Sequence, residues 1–155
     1  MKFILPVTLF WTFCCLAIAE VGKTVHWPQF RGPGASGIAE GFETPTSWDA
    51  DAGSNLKWKV PIPGLGHSCP VVWGDRIFLT TAISDKKKDS LKIGIYHEIA
   101  PVENDGVHLW KLYCIDKATG KILWERVCHK GVPKDKRHSK SSHANCTPAT
   151  DGKRV

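Results

Sequence analysis

Residues 112–124 read Leu-Tyr-Cys-Ile-Asp-Lys-Ala-Thr-Gly-Lys-Ile-Leu-Trp. Two short runs of strand-forming residues flank a polar turn, a pattern that predicts a β-hairpin. Asp116 can accept hydrogen bonds from backbone amides further along the turn, Thr119 can do the same more weakly, and Gly120 supplies a positive φ where the chain re-enters the ladder. Trp124 is a large flat group on the second strand, so we expect it to pack against a neighbouring sheet with its indole N–H on a polar partner.

The spacing of this hairpin resembles a repeat known from one protein family. The pattern small-x-Asp-x-x-Thr-Gly-x-x-x-Trp is met by Cys114, Asp116, Thr119, Gly120 and Trp124. It is similar to the tryptophan-docking repeat of the pyrroloquinoline-quinone-type (PQQ-like) β-propellers, although that family commonly has alanine where this chain has Cys114. The resemblance implies an all-β fold, a partial propeller of antiparallel four-stranded blades in an incomplete ring. It identifies a blade and not an activity.

A second pattern occurs twice. Residues 68–81, Ser-Cys-Pro-Val-Val-Trp-Gly-Asp-Arg-Ile-Phe-Leu-Thr-Thr, predict a strand, a Gly-Asp turn and a strand. Residues 147–155 repeat this pattern at an offset of 148 − 70 = 78 residues. The matched pairs are Pro70 and Pro148, Gly74 and Gly152, and Arg76 and Arg154. Internal repetition of this period is a sequence signature of propeller blades.

A strand is also predicted over residues 55–60, Asn-Leu-Lys-Trp-Lys-Val, in which Trp58 corresponds to Trp124. No Asp-x-x-Thr-Gly turn precedes it. Circular propellers often close by letting an N-terminal strand complete the last blade, which leaves no exposed edge. We therefore hypothesise that residues 56–60 form such a closing strand, and we add Trp58 to the predicted structural blade motif.

Composition divides the chain into three parts. Residues 1–19 carry Lys2, an apolar run and the small-x-small triplet Ala-Ile-Ala, which predict a secretory signal peptide cleaved before Glu20. A membrane anchor is the alternative, but the run is shorter than the roughly 20 residues that a span needs. Residues 20–54 form a loop-rich segment, and residues 55–155 supply the blades. Because a stable propeller needs about four to eight blades, we expect this chain to be the N-terminal fragment of a longer protein.

Charge and cysteine usage restrict the partners. The net charge of +6 is spread along the chain and does not indicate nucleic acid. No run after the leader is apolar enough to span a membrane, so an exported protein, periplasmic or extracellular, is expected. Two of the six cysteines lie in the leader. The other four allow three full disulfide pairings in an oxidising compartment, and none has the close spacing of a zinc site. They are Cys69, Cys114, Cys128 and Cys146.

The remaining segments are predicted as loops and flanking strands. Residues 84–90 form a charged loop, and residues 91–99 and 107–113 are predicted strands, with a helix the weaker alternative for 91–99. Residues 129–143 form a long basic loop, interpreted as a solvated loop or else as a site for an anion or acidic partner. His138, His143 and Cys146 match no standard metal spacing.

Two functions of different classes follow. The first is an exported scaffold or interaction module, with a protein partner or a small molecule at the blade loops. In the second, the resemblance implies a quinoprotein alcohol or sugar dehydrogenase, with pyrroloquinoline quinone beside a calcium ion and a catalytic aspartate. That chemistry needs a cation cage, a stacking aromatic and a basic carboxylate, and the sequence assigns none of these positions. Glu98, Glu103, Asp105 and His97 are interpreted as surface or structural groups, and His67 is the best single candidate for a residue facing a central channel.

Overall fold

The computed structural model describes residues 26–86, 91, 101–102 and 106–155. These residues form an all-β structure whose centre is an open, five-stranded antiparallel sheet in the order β1-β2-β3-β4-β5. The strands are β1 (His26–Trp27), β2 (Val71–Trp73), β3 (Arg76–Ser84), β4 (His108–Asp116) and β5 (Ile122–Gly131). The one short helical turn in the described ranges is the 3-10 turn Pro33–Ala35.

The sheet is built mainly from two hairpins. β2 and β3 meet through the Gly-Asp turn, where Gly74 has a φ of 56°, as the sequence predicts. β3 then pairs with β4 along all nine of its residues, from Arg76 opposite Asp116 to Ser84 opposite His108. β4 and β5 form the predicted hairpin of residues 112–124 and extend it in both directions. Strand β4 also contains most of the predicted strand 107–113.

A row of side chains crosses four strands of the sheet. Val71 pairs with Phe78, Phe78 with Cys114, and Cys114 with Trp124. The first three are buried and form the hydrophobic core cluster, against which Trp124 packs. On β4, Tyr113 and Ile115 are buried as well, each 1% exposed, so both faces of this strand are covered. Apolar residues at both odd and even positions are the expected pattern for a strand whose two faces are both covered.

Strand β5 is an irregular edge strand. Its pairing with β4 shifts twice, so that Leu123 and Cys128 each stand opposite no residue of β4. Each is the extra residue of a β-bulge. Most of β5 is exposed, including Val127 at 53%.

Three predictions of local structure need correction. Residues 55–60 form no strand, because no other described segment pairs with their backbone. The hypothesis that residues 56–60 close a ring needs the last blade as partner and stays a prediction. The second copy of the repeat, residues 147–155, forms the turn but no strands. That turn is closed by Thr150 Oγ1 donating to the Arg154 carbonyl at 2.7 Å. The predicted basic loop begins inside β5, whose last residues, 129–131, pair with β4.

The predicted signal peptide, most of the predicted strand 91–99 and much of the charged loop 84–90 lie outside the described residues.

Candidate functional site

The turn of the β4–β5 hairpin, residues 116–120, is held by its own side chains. Oδ1 of Asp116 accepts hydrogen bonds from the backbone N–H and the hydroxyl of Thr119, both at 2.8 Å. The Gly120 N–H donates to the Asp116 carbonyl at 2.8 Å, and Gly120 has a φ of 74°. The side chain of Thr119 and then its backbone amide lower the pKa of the Asp116 carboxyl below its ordinary value. We call this segment the docking turn.

Trp58 lies directly on the docking turn. Its indole Nε1–H donates to the Lys117 carbonyl at 2.9 Å, across 59 residues of sequence. A Cβ atom built on Gly120 would stand 2.7 Å from Cδ2 of the indole, closer than such contacts occur. Two separate features therefore require glycine at position 120: the positive φ, and the Trp58 ring, which occupies the space that a Cβ atom would need. The two parts of the predicted blade motif are thus in contact.

Trp124 occupies a different environment. Its ring packs against the buried row of the sheet, with its centroid 5.9 Å from that of Phe78. The guanidinium carbon of Arg126 lies 5.7 Å from the ring centroid, which is within cation–π range. Within the described ranges, no acceptor is recorded for its indole N–H, so the expected polar partner is not found there.

The two copies of the 78-residue repeat touch at matched positions. The Cys69 N–H donates to Thr147 Oγ1 at 3.0 Å, and 147 − 69 = 78. Nδ1 of His67 lies 3.2 Å from Oδ1 of Asn145, and 145 − 67 = 78. The indole of Trp73, beside the turn of the first copy, lies against Gly152 in the turn of the second. A Trp–Gly contact therefore occurs at this turn as well as at the docking turn.

Hydrogen bonding fixes the tautomer of His67. Oδ1 of Asn145 accepts from the backbone N–H of Ser142 at 3.2 Å and from its hydroxyl at 2.8 Å, while Nδ2 donates to Ser141 Oγ at 2.7 Å. The reversed amide would place two N–H groups against each other at Ser142. The Asn145 oxygen therefore faces His67, whose Nδ1 must carry the hydrogen. The His67 side chain is exposed.

The segment after β5 is a solvated loop only in part. Lys134, Asp135 and Lys136 are exposed, as the interpretation of residues 129–143 expects, whereas the second half of the segment is packed. Arg137 is 5% exposed and Ser139 is fully buried. Nη1 of Arg137 donates to the Ser141 carbonyl at 3.1 Å, and Nε1 of Trp110 donates to the His143 carbonyl at 2.8 Å. The Arg137 bond closes the segment on itself, and the Trp110 bond ties the segment to strand β4 of the sheet.

The candidate metal ligands do not form a site in the part of the chain that is described, where no group of three His, Cys, Asp or Glu side chains could hold an ion. Nδ1 of His138 accepts from the Lys140 N–H, and the ring of His143 packs edge-on against His108 at 5.1 Å. Cys69, Cys114, Cys128 and Cys146 are all free thiols in the structure. His97, Glu98, Glu103 and Asp105 lie outside the described residues.

Comparison with known proteins gives no relative, since no family model, curated protein or solved structure matches this chain. In the described ranges, no helix is long and apolar enough to cross a membrane.

Proposed function

We propose that this chain contributes blades to a PQQ-type β-propeller, and that the protein is an exported scaffold or interaction module. In this proposal β2, β3, β4 and β5 are the four strands of one blade, and the blade loops bind a protein partner or a small molecule. The proposal keeps the structural motif of Asp116, Thr119, Gly120, Trp124 and Trp58 as the means of assembly.

The contact between matched positions of the repeat is the observation that carries the proposal. When two units stand side by side by translation, matched points are separated by a full unit width. When the two units are related by rotation, the distance between matched points becomes smaller the closer those points lie to the rotation axis. The pairs Cys69–Thr147 and His67–Asn145 are in hydrogen-bond contact at the repeat offset of 78 residues. This geometry favours radial placement of the units, as in a propeller.

The Trp–Gly contacts support the same arrangement. Trp58 and Trp73 each lie on a glycine with a positive φ in a turn that is distant in sequence. Each indole therefore fills space between separate parts of the chain, which suits a wedge between neighbouring sheets. These residues are used for packing and hydrogen bonding, and for this reason we assign them to assembly rather than to chemistry.

The test uses the full-length protein, recovered after export. We expect its N-terminus to be Glu20 and its absorption spectrum to be unchanged on titration with pyrroloquinoline quinone and calcium. Stoichiometric quinone binding with reduction of an electron-accepting dye in the presence of alcohols would replace the scaffold by a dehydrogenase. A mature protein that keeps residues 1–19 would contradict the exported location.

A further inference from the structure

We propose that Cys69 and Cys146 form a disulfide that ties the two copies of the repeat together when the protein meets a disulfide donor such as glutathione disulfide. The inference rests on contacts within the chain and holds whether or not the parent protein is a propeller.

Hydrogen bonds hold the two cysteines on facing segments. The His67 N–H donates to the Ala144 carbonyl at 3.0 Å, and the Cys69 N–H donates to Thr147 Oγ1 at 3.0 Å. With ordinary bond lengths, the second bond places the Cα atoms of Cys69 and Thr147 within about 7 Å. Cys146 stands between these two contact points. Cys146 is bonded to Thr147, so its Cα lies within about 11 Å of the Cys69 Cα. Disulfides join Cα atoms about 4.4–6.8 Å apart, a separation inside this limit.

The register of the sheet keeps the other cysteines apart. Cys114 pairs with Trp124, and Cys128 lies four residues further along β5, which is about 13 Å away. Val71 is two strands from Cys114, about 10 Å, and Cys69 lies beyond Val71. Cys146 is held at β3 by Thr80, whose hydroxyl donates to the Cys146 carbonyl at 3.2 Å, whereas Cys128 is on β5. Cys114 and Cys128 lie on paired strands but at distant positions, which leaves Cys69 and Cys146 as the pair on facing segments at neighbouring positions.

Accessibility sets the order of the two exchange steps. Cys146 is exposed and Cys69 is half-buried. The Cys146 thiolate attacks one sulfur of glutathione disulfide, forming a mixed disulfide and releasing one glutathione thiolate. The Cys69 thiolate then attacks the Cys146 sulfur and releases the second glutathione. Two protein thiols are oxidised, one glutathione disulfide is reduced to two thiols, and the two protein protons pass to solvent or to the released thiolates.

Cys114 takes no part in this exchange. It is 1% exposed, and burial raises the pKa of its thiol, so little thiolate is present to react. Cys128 is exposed but has no cysteine within reach on the folded sheet.

The test uses the full chain with Cys14→Ser and Cys15→Ser, which removes the two cysteines of the predicted leader. The protein is equilibrated with reduced and oxidised glutathione under native conditions, remaining thiols are alkylated, and disulfide-linked peptides are mapped by mass spectrometry. We expect the main internal disulfide to join residues 69 and 146. In Cys69→Ser the Cys146 thiol should stop at the glutathione adduct, while the matched control Cys128→Ser should keep the 69–146 bond.

The same exchange in concentrated urea supplies the comparison. In an unfolded chain, loop closure favours two short separations, 14 residues for Cys114 and Cys128 and 18 residues for Cys128 and Cys146, over the 77-residue separation of Cys69 and Cys146 by about tenfold each. A native map dominated by 69–146 and a urea map dominated by the two short loops, 114–128 and 128–146, would support the proposal. Equal maps in the two conditions, or a wild-type protein whose Cys146 stays as the glutathione adduct, would overturn it. The wild-type maps decide the matter even if a variant folds poorly.

Discussion

Substitution of Gly120 by alanine should destabilise the protein through two separable effects. The first is backbone strain, because a residue with a Cβ at a φ of 74° costs about 1–2 kcal/mol. The second is displacement of Trp58, since the new methyl would stand 2.7 Å from the indole. Moving the ring breaks its hydrogen bond to Lys117, worth about 0.5–1.5 kcal/mol. It also exposes about 50 Å² of apolar surface, worth roughly 1–1.5 kcal/mol.

The expected total is about 3–5 kcal/mol, a large part of the stability of an ordinary domain. Gly74→Ala is the matched control. Gly74 also has a positive φ in a hairpin turn, of 56°, but nothing lies within 4 Å of its added Cβ. Only the strain of about 1–2 kcal/mol should appear there.

Urea denaturation followed by circular dichroism measures both variants. The experiment is repeated in a Trp58→Ala background, where Gly120→Ala should cost no more than the control because the steric conflict is absent. If Gly120→Ala costs the same with and without Trp58, the indole does not rest on the docking turn in solution and the reasoning fails.

Three further outcomes are expected. The pKa of the Asp116 carboxyl is lowered in the folded state, so the stabilisation it gives is present above about pH 4 and is lost as the pH falls through the folded-state pKa. Between pH 6 and pH 3 the urea midpoint should therefore fall less steeply with pH in Asp116→Asn than in the unsubstituted protein. An equal dependence on pH would show that the pKa of this carboxyl does not change on folding. Gly152→Ala, at a φ of 84° and against Trp73, should lower the urea midpoint more than the control glycine does, and an equal loss would count against this contact. Trp110→Phe removes the donor to the His143 carbonyl and should cost about 1–3 kcal/mol, seen as faster amide hydrogen exchange in residues 137–146; unchanged exchange there would mean that the indole does not hold the segment.

The hairpin and its turn were accessible from the sequence because their causes are local. Asp116, Thr119 and Gly120 each act on backbone groups within four residues, so their spacing carries the information. The docking of Trp58 on Gly120 was not accessible in the same way. A tryptophan and a distant turn share no local pattern, and only the folded chain shows which turn receives which ring.

Two of the differences between prediction and structure have clear physical reasons. Residues 55–60 have the composition of a strand, but a ladder also needs a neighbouring backbone, and the described part of the chain provides none. The charge of the segment after β5 predicts a solvated loop, whereas Arg137 and Ser139 in it are buried. The serines of this segment and Asn145 indicate an ordered segment, because short polar side chains readily form hydrogen bonds with nearby backbone groups. Ser142, for example, donates two hydrogen bonds to Oδ1 of Asn145, one from its backbone N–H and one from its hydroxyl.

The two bulges of β5 affect how well this strand could pair with another chain. A regular exposed edge strand offers an unbroken template onto which another chain can stack, as in cross-β aggregates. Here a second chain that pairs in register with β5 at Ile122 would lose that register at Leu123 and again at Cys128. The described edge therefore presents regular stretches of no more than four residues, 124–127 being the longest, which makes it a poorer template than an unbroken strand.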